Sequence, residues 1–232
     1  MEGSLSNKTE ESMVSVFART EAYSTGAKIG ANLYNLTIGL VLGWGFFVNW
    51  LIVKTVPYES LASINFFFFL IPYFGSCMLG AYLFNKSANP VVSFAGYNLV
   101  VVPFGLVVNL VVHQYDAALV LDAIRVTGCV TVIMMALGTL FPAFFQRIAG
   151  ALFIALVGVI IVEIVEIFVF KIHHGILDWI VVAIFCGYIG VDWSRANSIP
   201  KTLDNAIDSA AALYMDIINL FVRILSIMGR SE

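Results

Sequence analysis

An all-α fold, a polytopic membrane bundle of seven transmembrane helices, is what this sequence predicts, and three observations predict it. Its 232 residues are 60% AVILMFWYC and only 12% DEKR, against about 45–50% apolar and about 25% charged in a soluble domain. The apolar residues fall in repeated blocks of the roughly 20 residues that a helix needs to cross a bilayer. The segments between blocks are short, so no loop can hold a soluble domain. With 12 Lys and Arg against 15 Asp and Glu, a formal net charge of −3, no basic surface is available for a nucleic-acid backbone. The lipid bilayer, not nucleic acid, is the expected partner.

Residues 1–30 form a polar tail that lacks the apolar core and small-residue cleavage site of a signal peptide, so it is expected to be retained and untranslocated. The membrane domain is expected over 31–229. Five blocks, 33–53, 61–84, 91–112, 126–145 and 149–170, are almost free of charge and each long enough to span. A sixth, 176–191, is short for a span, but extending it through Asp192 to Ala196 gives it a full span's length and puts Asp192 inside. The last block, 205–228, is long enough to cross and contains Asp208, Asp216 and Arg223. The expected connections are 54–60, 85–90, 113–122, 146–148, 171–175 and 197–204, several carrying Pro or Gly.

Lys8, Arg19, Lys28, Lys86, Arg147, Arg195 and Lys201 share one side, against Lys54, Arg125, Lys171 and Arg230 on the other. By the positive-inside rule the N-terminus is cytoplasmic, and the final span then puts the C-terminus outside. Gly39 and Gly43, at i and i+4 in the first span, would permit close helix contact. Cys77, Cys129 and Cys186 lie inside apolar blocks without CxxC or Cys/His spacing and read as packing residues.

Charged groups inside a bilayer are the informative anomaly, because each carboxylate near a helix centre costs about 2.5–3.5 kcal/mol on insertion scales. Asp192, Asp216, Glu163 and Glu166 qualify. Asp192 and Asp216 lie symmetrically about residue 204, which ends the connection containing Pro200. In a helical hairpin, residues equidistant from the turn return to similar depth. The two carboxylates would then face one another up to about 15 Å below the cytoplasmic surface, at about 1.5 Å per residue.

Asn205, Asp208, Ala212, Asp216, Asn219 and Arg223 follow spacings of 3, 4, 4, 3 and 4, one narrow stripe on a helix. Leu213, Tyr214, Ile217, Leu220, Phe221 and Ile224 form the opposite, apolar face. Three readings fit this pattern: an amphipathic helix lying on the membrane surface, a buried helix with interhelical hydrogen bonds, or one wall of a water-accessible cavity. The matched depth of Asp192 favours the cavity. Two carboxylates held close share a proton unless a cation neutralises them, so such a site reads both protons and cations. Oxygen-rich groups suit hard cations such as Ca²⁺, with Asp192 and Asp216 as metal ligands and Asp208, Asn219, backbone carbonyls or water as further ones. A proton or monovalent ion is equally compatible with the carboxylates.

Glu163 and Glu166 are an i, i+3 pair on one face of the fifth span, about 7–12 Å below the outer surface at helical rise. They would attract cations, with His173, His174 and Asp178 near the outer mouth, or alternatively one would hold a proton while the other reaches the interface or Lys171. The adjacent histidines read as loop residues, since no third zinc ligand is spaced for them. Enzyme chemistry finds no support: G-x-S-x-G, HExxH and P-loop motifs are absent, and the final span holds no lysine for a retinal Schiff base. No tightly bound cofactor is expected.

At the C-terminal end, G-V-D-W-S-R-A and, beyond the Pro200 connection, A-L-Y-M-D-I-I-N-L-F together resemble the signature of the Bax inhibitor-1, or transmembrane Bax inhibitor motif, family. Ala212, Leu213, Tyr214, Asp216, Ile218, Asn219, Leu220 and Phe221 carry most of the likeness, which is detailed over about 186–229. The resemblance implies that the last helix is central and that the protein is a passive, pH-responsive Ca²⁺ leak. It also implies that Asp192 and Asp216 are the paired acidic sensor. Two departures from the family pattern stand out: Trp193 and Ser194 follow the first aspartate, and no Arg or Lys sits inside the first two spans to clamp the pair. Arg195, one turn after Asp192, is the substitute clamp. The short loops and missing import or secretion signal point to a bacterial plasma-membrane member. A non-conducting regulator or scaffold that binds a membrane protease is the alternative function.

Overall fold

The computed structural model describes residues 27–166 and 175–230. The described chain forms helices α1 (Ala31–Thr55), α2 (Tyr58–Ala62), α3 (Phe66–Lys86), α4 (Pro90–Val112), α5 (Ala117–Leu140), α6 (Pro142–Val165), α7 (Gly175–Ser198) and α8 (Leu203–Gly229). All but the short α2 are long and apolar enough to cross a membrane. The protein is therefore an all-helical, multi-pass integral membrane protein. Lys8, Arg19, Lys171, His173 and His174 lie outside the described residues.

Local chemistry sets the helix ends. Asn65 caps α3 by accepting from the Phe67 amide, Asn89 caps α4 through the Val91 amide ahead of Pro90, and Thr202 caps α8 through the Asn205 amide. Pro103 lies inside α4, where the missing amide frees the carbonyl one turn earlier. The Ser76 hydroxyl of α3 donates to that Leu99 carbonyl at 2.7 Å, which is how a proline is tolerated within a membrane helix.

Several expected boundaries need correction. The second block is not one helix from residue 61: Leu61 belongs to α2, and α3 begins only after Asn65. The fourth block starts too late, because α5 runs from Ala117 and carries Asp122 and Arg125, which form an i, i+3 ion pair of 2.8 Å. Its end overshoots to 145, although the break falls at Phe141–Pro142, so the expected connection at 146–148 is the second turn of α6. Gly39 and Gly43 are also reassigned. A Cβ at either would meet nothing within 4 Å, whereas one at Gly45 would collide with the Tyr97 hydroxyl.

Helix α8 is the axis of the bundle. It packs on α1, α4, α5 and α7, while α3 leans on α4 and α6 leans on α7 and slightly on α5. Ala206, Ala210, Ala211, Leu213, Tyr214, Leu220 and Leu225 on α8 are wholly inaccessible, so small residues near one end and large ones farther along fill the centre. Glycines bring peripheral helices close: Gly80 of α3 and Gly96 of α4 against one another, and Gly138 of α5 against the Gly190 backbone of α7. A Cβ at Gly80, Gly96 or Gly138 would come within 2.5–2.7 Å of the opposing glycine's carbonyl oxygen, so only glycine permits that approach. At the end where α1 begins, Ile29 donates to the Lys201 carbonyl at 2.9 Å and Lys28 bridges Thr202. This contact fastens the start of the bundle to the α7–α8 turn.

Candidate functional site

The two faces of α8 meet different surroundings. Leu213, Tyr214, Ile217, Leu220, Phe221 and Ile224 are all buried, as the apolar face requires. Tyr214 accepts from the Asn49 amide of α1 at 2.8 Å and packs edge-on against Tyr97 of α4, whose hydroxyl donates to the Val41 carbonyl. The polar face looks the other way, toward α6 and α7, and there the stripe becomes a lining.

Two cavities run along that lining. The first, about 390 Å³, lies toward the end where α7 turns into α8, and includes Asp192, Arg195, Asp208 and Ser209 with Asn85 of α3. The second, about 440 Å³, lies between α6, α7 and α8 and includes Asp192, Asp216, Asn219, Glu163 and Arg223. Both are bordered by Tyr188, Asp192, Ala212 and Met215. The carboxylate pair therefore stands where the cavities adjoin.

At this junction Asp192 and Asp216 come within hydrogen-bonding reach of one another. Asp216 is only 6% exposed, and its Oδ2 has no hydrogen-bond partner. The hairpin spacing brings the pair together because Pro200 and Thr202 hold the turn short. Asn205 reinforces it by donating its side-chain amide to the Pro200 carbonyl at 2.7 Å. Arg195 approaches Asp192 at 3.6 Å and remains partly exposed, a loose contact beside the pair. Trp193 donates to Thr139 of α5 at 2.8 Å, and Ser194 reaches the Pro142 carbonyl at 3.5 Å. These two departures from the family pattern thus fasten α7 to the α5–α6 junction.

The stripe residues divide between the cavities. Asp208 is buried on the wall of the first, while Asn219 lines the second and donates to the Met215 carbonyl at 2.8 Å. Among the described residues, no group of three or more His, Cys, Asp or Glu could hold a metal ion. Two carboxylates with scattered amide and water oxygens fall short of the roughly six to eight oxygens of a resident Ca²⁺ site. They suit a cation that exchanges ligands as it moves.

The far end of the second cavity holds an arrangement that the sequence did not disclose. Arg223 of α8 pairs with Glu163 of α6 at 2.7 and 2.9 Å and with Asp178 of α7 at 2.6 Å; Arg230 also reaches Asp178. Asp178 is wholly inaccessible, so the two arginines neutralise a carboxylate that could not stay charged alone in that environment. Glu163 is thus committed to Arg223. Glu166 is buried at the C-terminal cap of α6 and borders neither cavity. A signal existed in the sequence: an arginine inside an apolar span needs a carboxylate at its own depth, and Glu163 and Asp178 were the candidates near that end.

A hairpin of two membrane helices carrying a facing carboxylate pair, with the last helix at the centre of the bundle, defines the class. Residues 28–232 match the family described as inhibitor of apoptosis-promoting Bax1, and the chain belongs to that family. A Streptococcus pyogenes protein described as an uncharacterized membrane protein is 25% identical over 138 residues, 55% of this chain and 59% of the relative. One from Vibrio cholerae with the same description is 28% identical over 172 residues, 73% of this chain and 72% of the relative. Bax inhibitor 1 of Schizosaccharomyces pombe is 31% identical over 130 residues, 54% of this chain and 47% of its own. The match thus spans about three-fifths of the streptococcal relative.

Proposed function

We propose that this protein is a passive, pH-responsive cation leak, with Ca²⁺ as the transported ion and the Asp192–Asp216 pair as its sensor and gate. The observation that carries this reading is the position of the pair, at the junction of two cavities on the polar face of the central helix. A cation at the junction would replace the proton shared by two close carboxylates, which couples ion passage to pH. Arg195 would restrain Asp192 from the first cavity, and Arg223 would close the opposite end by occupying Glu163 and Asp178. No catalytic step is assigned to the chain. The positive-charge bias supports a cytoplasmic N-terminus, and the bacterial relatives support a plasma-membrane location.

The ion-pair closure at Arg223 also favours a second reading, a non-conducting regulator or scaffold whose partner is a membrane protease. Purified protein in liposomes loaded with a calcium dye separates the two. The leak reading requires Ca²⁺ entry that changes between acidic and alkaline pH; absence of flux across the whole range would leave the scaffold.

A further inference from the structure

Among the described residues, the second cavity has a floor and two walls and no roof. Helix α7 is the floor, and α6 and α8 stand on either side of it; α6 packs on α7 and α5 rather than on α8. Among the described residues, none from α1, α3 or α4 borders it. Helix α3 reaches this face only at the first cavity, through Ala81, Phe84 and Asn85. Met215, Asn219 and Arg223, at mid-depth and beyond on the central helix, are accordingly part-exposed and not sealed. In a bilayer the open side of this groove faces hydrocarbon, so molecules reach it sideways from the lipid as well as endways from water.

The groove's chemistry narrows what such a molecule is. Leu156, Val159 and Ile160 of α6, Phe185 of α7 and Met215 of α8 offer an apolar bed. At its depth lies Asp216, nine-tenths buried, a residue that lines the cavity and whose Oδ2 has no hydrogen-bond partner. A buried carboxylate oxygen lacking a donor is costly, and an ammonium supplies both the missing donor and the opposite charge. The volume of about 440 Å³ falls within the range of about 300–1,000 Å³ usual for small-molecule pockets.

We infer that the α6–α7–α8 groove is a binding site for lipophilic amines, which enter from the bilayer and seat the ammonium on Asp216 and Asp192 with the hydrocarbon body against α6 and Met215. A neutral alcohol of the same shape supplies a donor but no charge, and lipophilic anions meet like charge. An amine bound there stands in the cation's place at the carboxylate pair. This inference rests on the same pair as the leak reading, yet binding can be measured without ion flux.

The test is saturable binding of radiolabelled 1-aminoadamantane to the full chain in phosphatidylcholine nanodiscs, with unlabelled 1-adamantanol as the neutral isostere. A charged hydrogen bond is worth about 1.5–3 kcal/mol, so the amine should bind at least about tenfold more tightly than the alcohol. Asp192→Asn with Asp216→Asn should erase that difference, and Asp122→Asn, in the exposed pair on α5, should leave it unchanged. Equal binding of amine and alcohol to the wild-type protein would overturn the inference without any variant, as would amine preference surviving in the double variant. Amine binding without calcium flux would leave the inference standing and remove the leak. Flux with pH dependence but no amine preference would do the reverse.

Discussion

Helix α8 carries two kinds of polar group, and the sides of the molecule it divides treat them differently. Toward α1 and α4, most polar atoms near α8 are paired: Asn49 with Tyr214, Tyr97 with the Val41 carbonyl, and Ser93 with Asp204 at 2.6 Å. Aromatic rings pack between them, and among the described residues no charged one lines the cavity of about 340 Å³ on this side. Toward α6 and α7, the same helix presents Asp216, Asn219 and Arg223 to a groove, and an oxygen of Asp216 is left without a partner. Polar residues in a membrane helix can thus be structural or poised for a ligand, and the difference lies in whether their hydrogen-bonding capacity is filled.

Changes at the Arg223 ion-pair closure should show the largest effect. Arg223→Met takes from Glu163 the arginine that it contacts at 2.7 and 2.9 Å and removes one of the two arginines on Asp178. Loss of one partner from a buried ion pair costs about 3–5 kcal/mol, and the partial exposure of Arg223 places the expected loss near the lower end. Thermal unfolding in nanodiscs measures it, and Arg223→Met combined with Glu163→Gln should recover part of the loss. In the leak account the single variant also raises Ca²⁺ entry; unchanged stability together with unchanged flux would mean that the network does not close the groove.

On the α1–α4 side, Gly45→Val forces a Cβ into the Tyr97 hydroxyl and the Tyr214 ring, an overpacking worth about 1–3 kcal/mol. Gly43→Val, where a Cβ would meet nothing within 4 Å, is the matched control and should unfold at the wild-type temperature. The comparison fails if both variants lose the same stability.

Tyr214→Phe should show the smallest change. It removes one interhelical hydrogen-bonding hydroxyl, worth about 0.6 kcal/mol on average within membranes, and keeps the ring packed on Tyr97. Stability should drop slightly while the pH response of any flux stays as in wild type. A changed pH response would show that the apolar face takes part in gating.

Much of this architecture was legible because bilayer thickness imposes a length on apolar blocks. The errors came where that signal is blind. Asp122 and Arg125 neutralise each other within one turn of α5, so charge in the sequence marked a loop where the helix continues. Leu61 was apolar enough to join the following block, and only the cap at Asn65 separates α2 from α3. The carboxylate pair was legible because a hairpin converts positions equidistant from its turn into equal depth. The Arg223 network was legible only as a demand for some carboxylate at that depth, because Asp178 and Glu163 lie on other helices, far from Arg223 in the chain, and spacing within α8 does not choose among candidates. The open side of the groove follows from how α6 and α8 both lean on α7, a tertiary arrangement that no single helix encodes.

The central claim is that Asp192 and Asp216 act as one proton-coupled unit at the junction of the two cavities, and flux against pH tests it most directly. Wild-type, Asp192→Asn, Asp216→Asn and doubly substituted protein would be placed in calcium-dye liposomes and followed from acidic to alkaline pH. The account predicts a pH-dependent wild-type flux, a flattened response in each single variant, and a double variant that resembles the singles instead of adding to them. Wild-type pH dependence surviving in both single variants would contradict it.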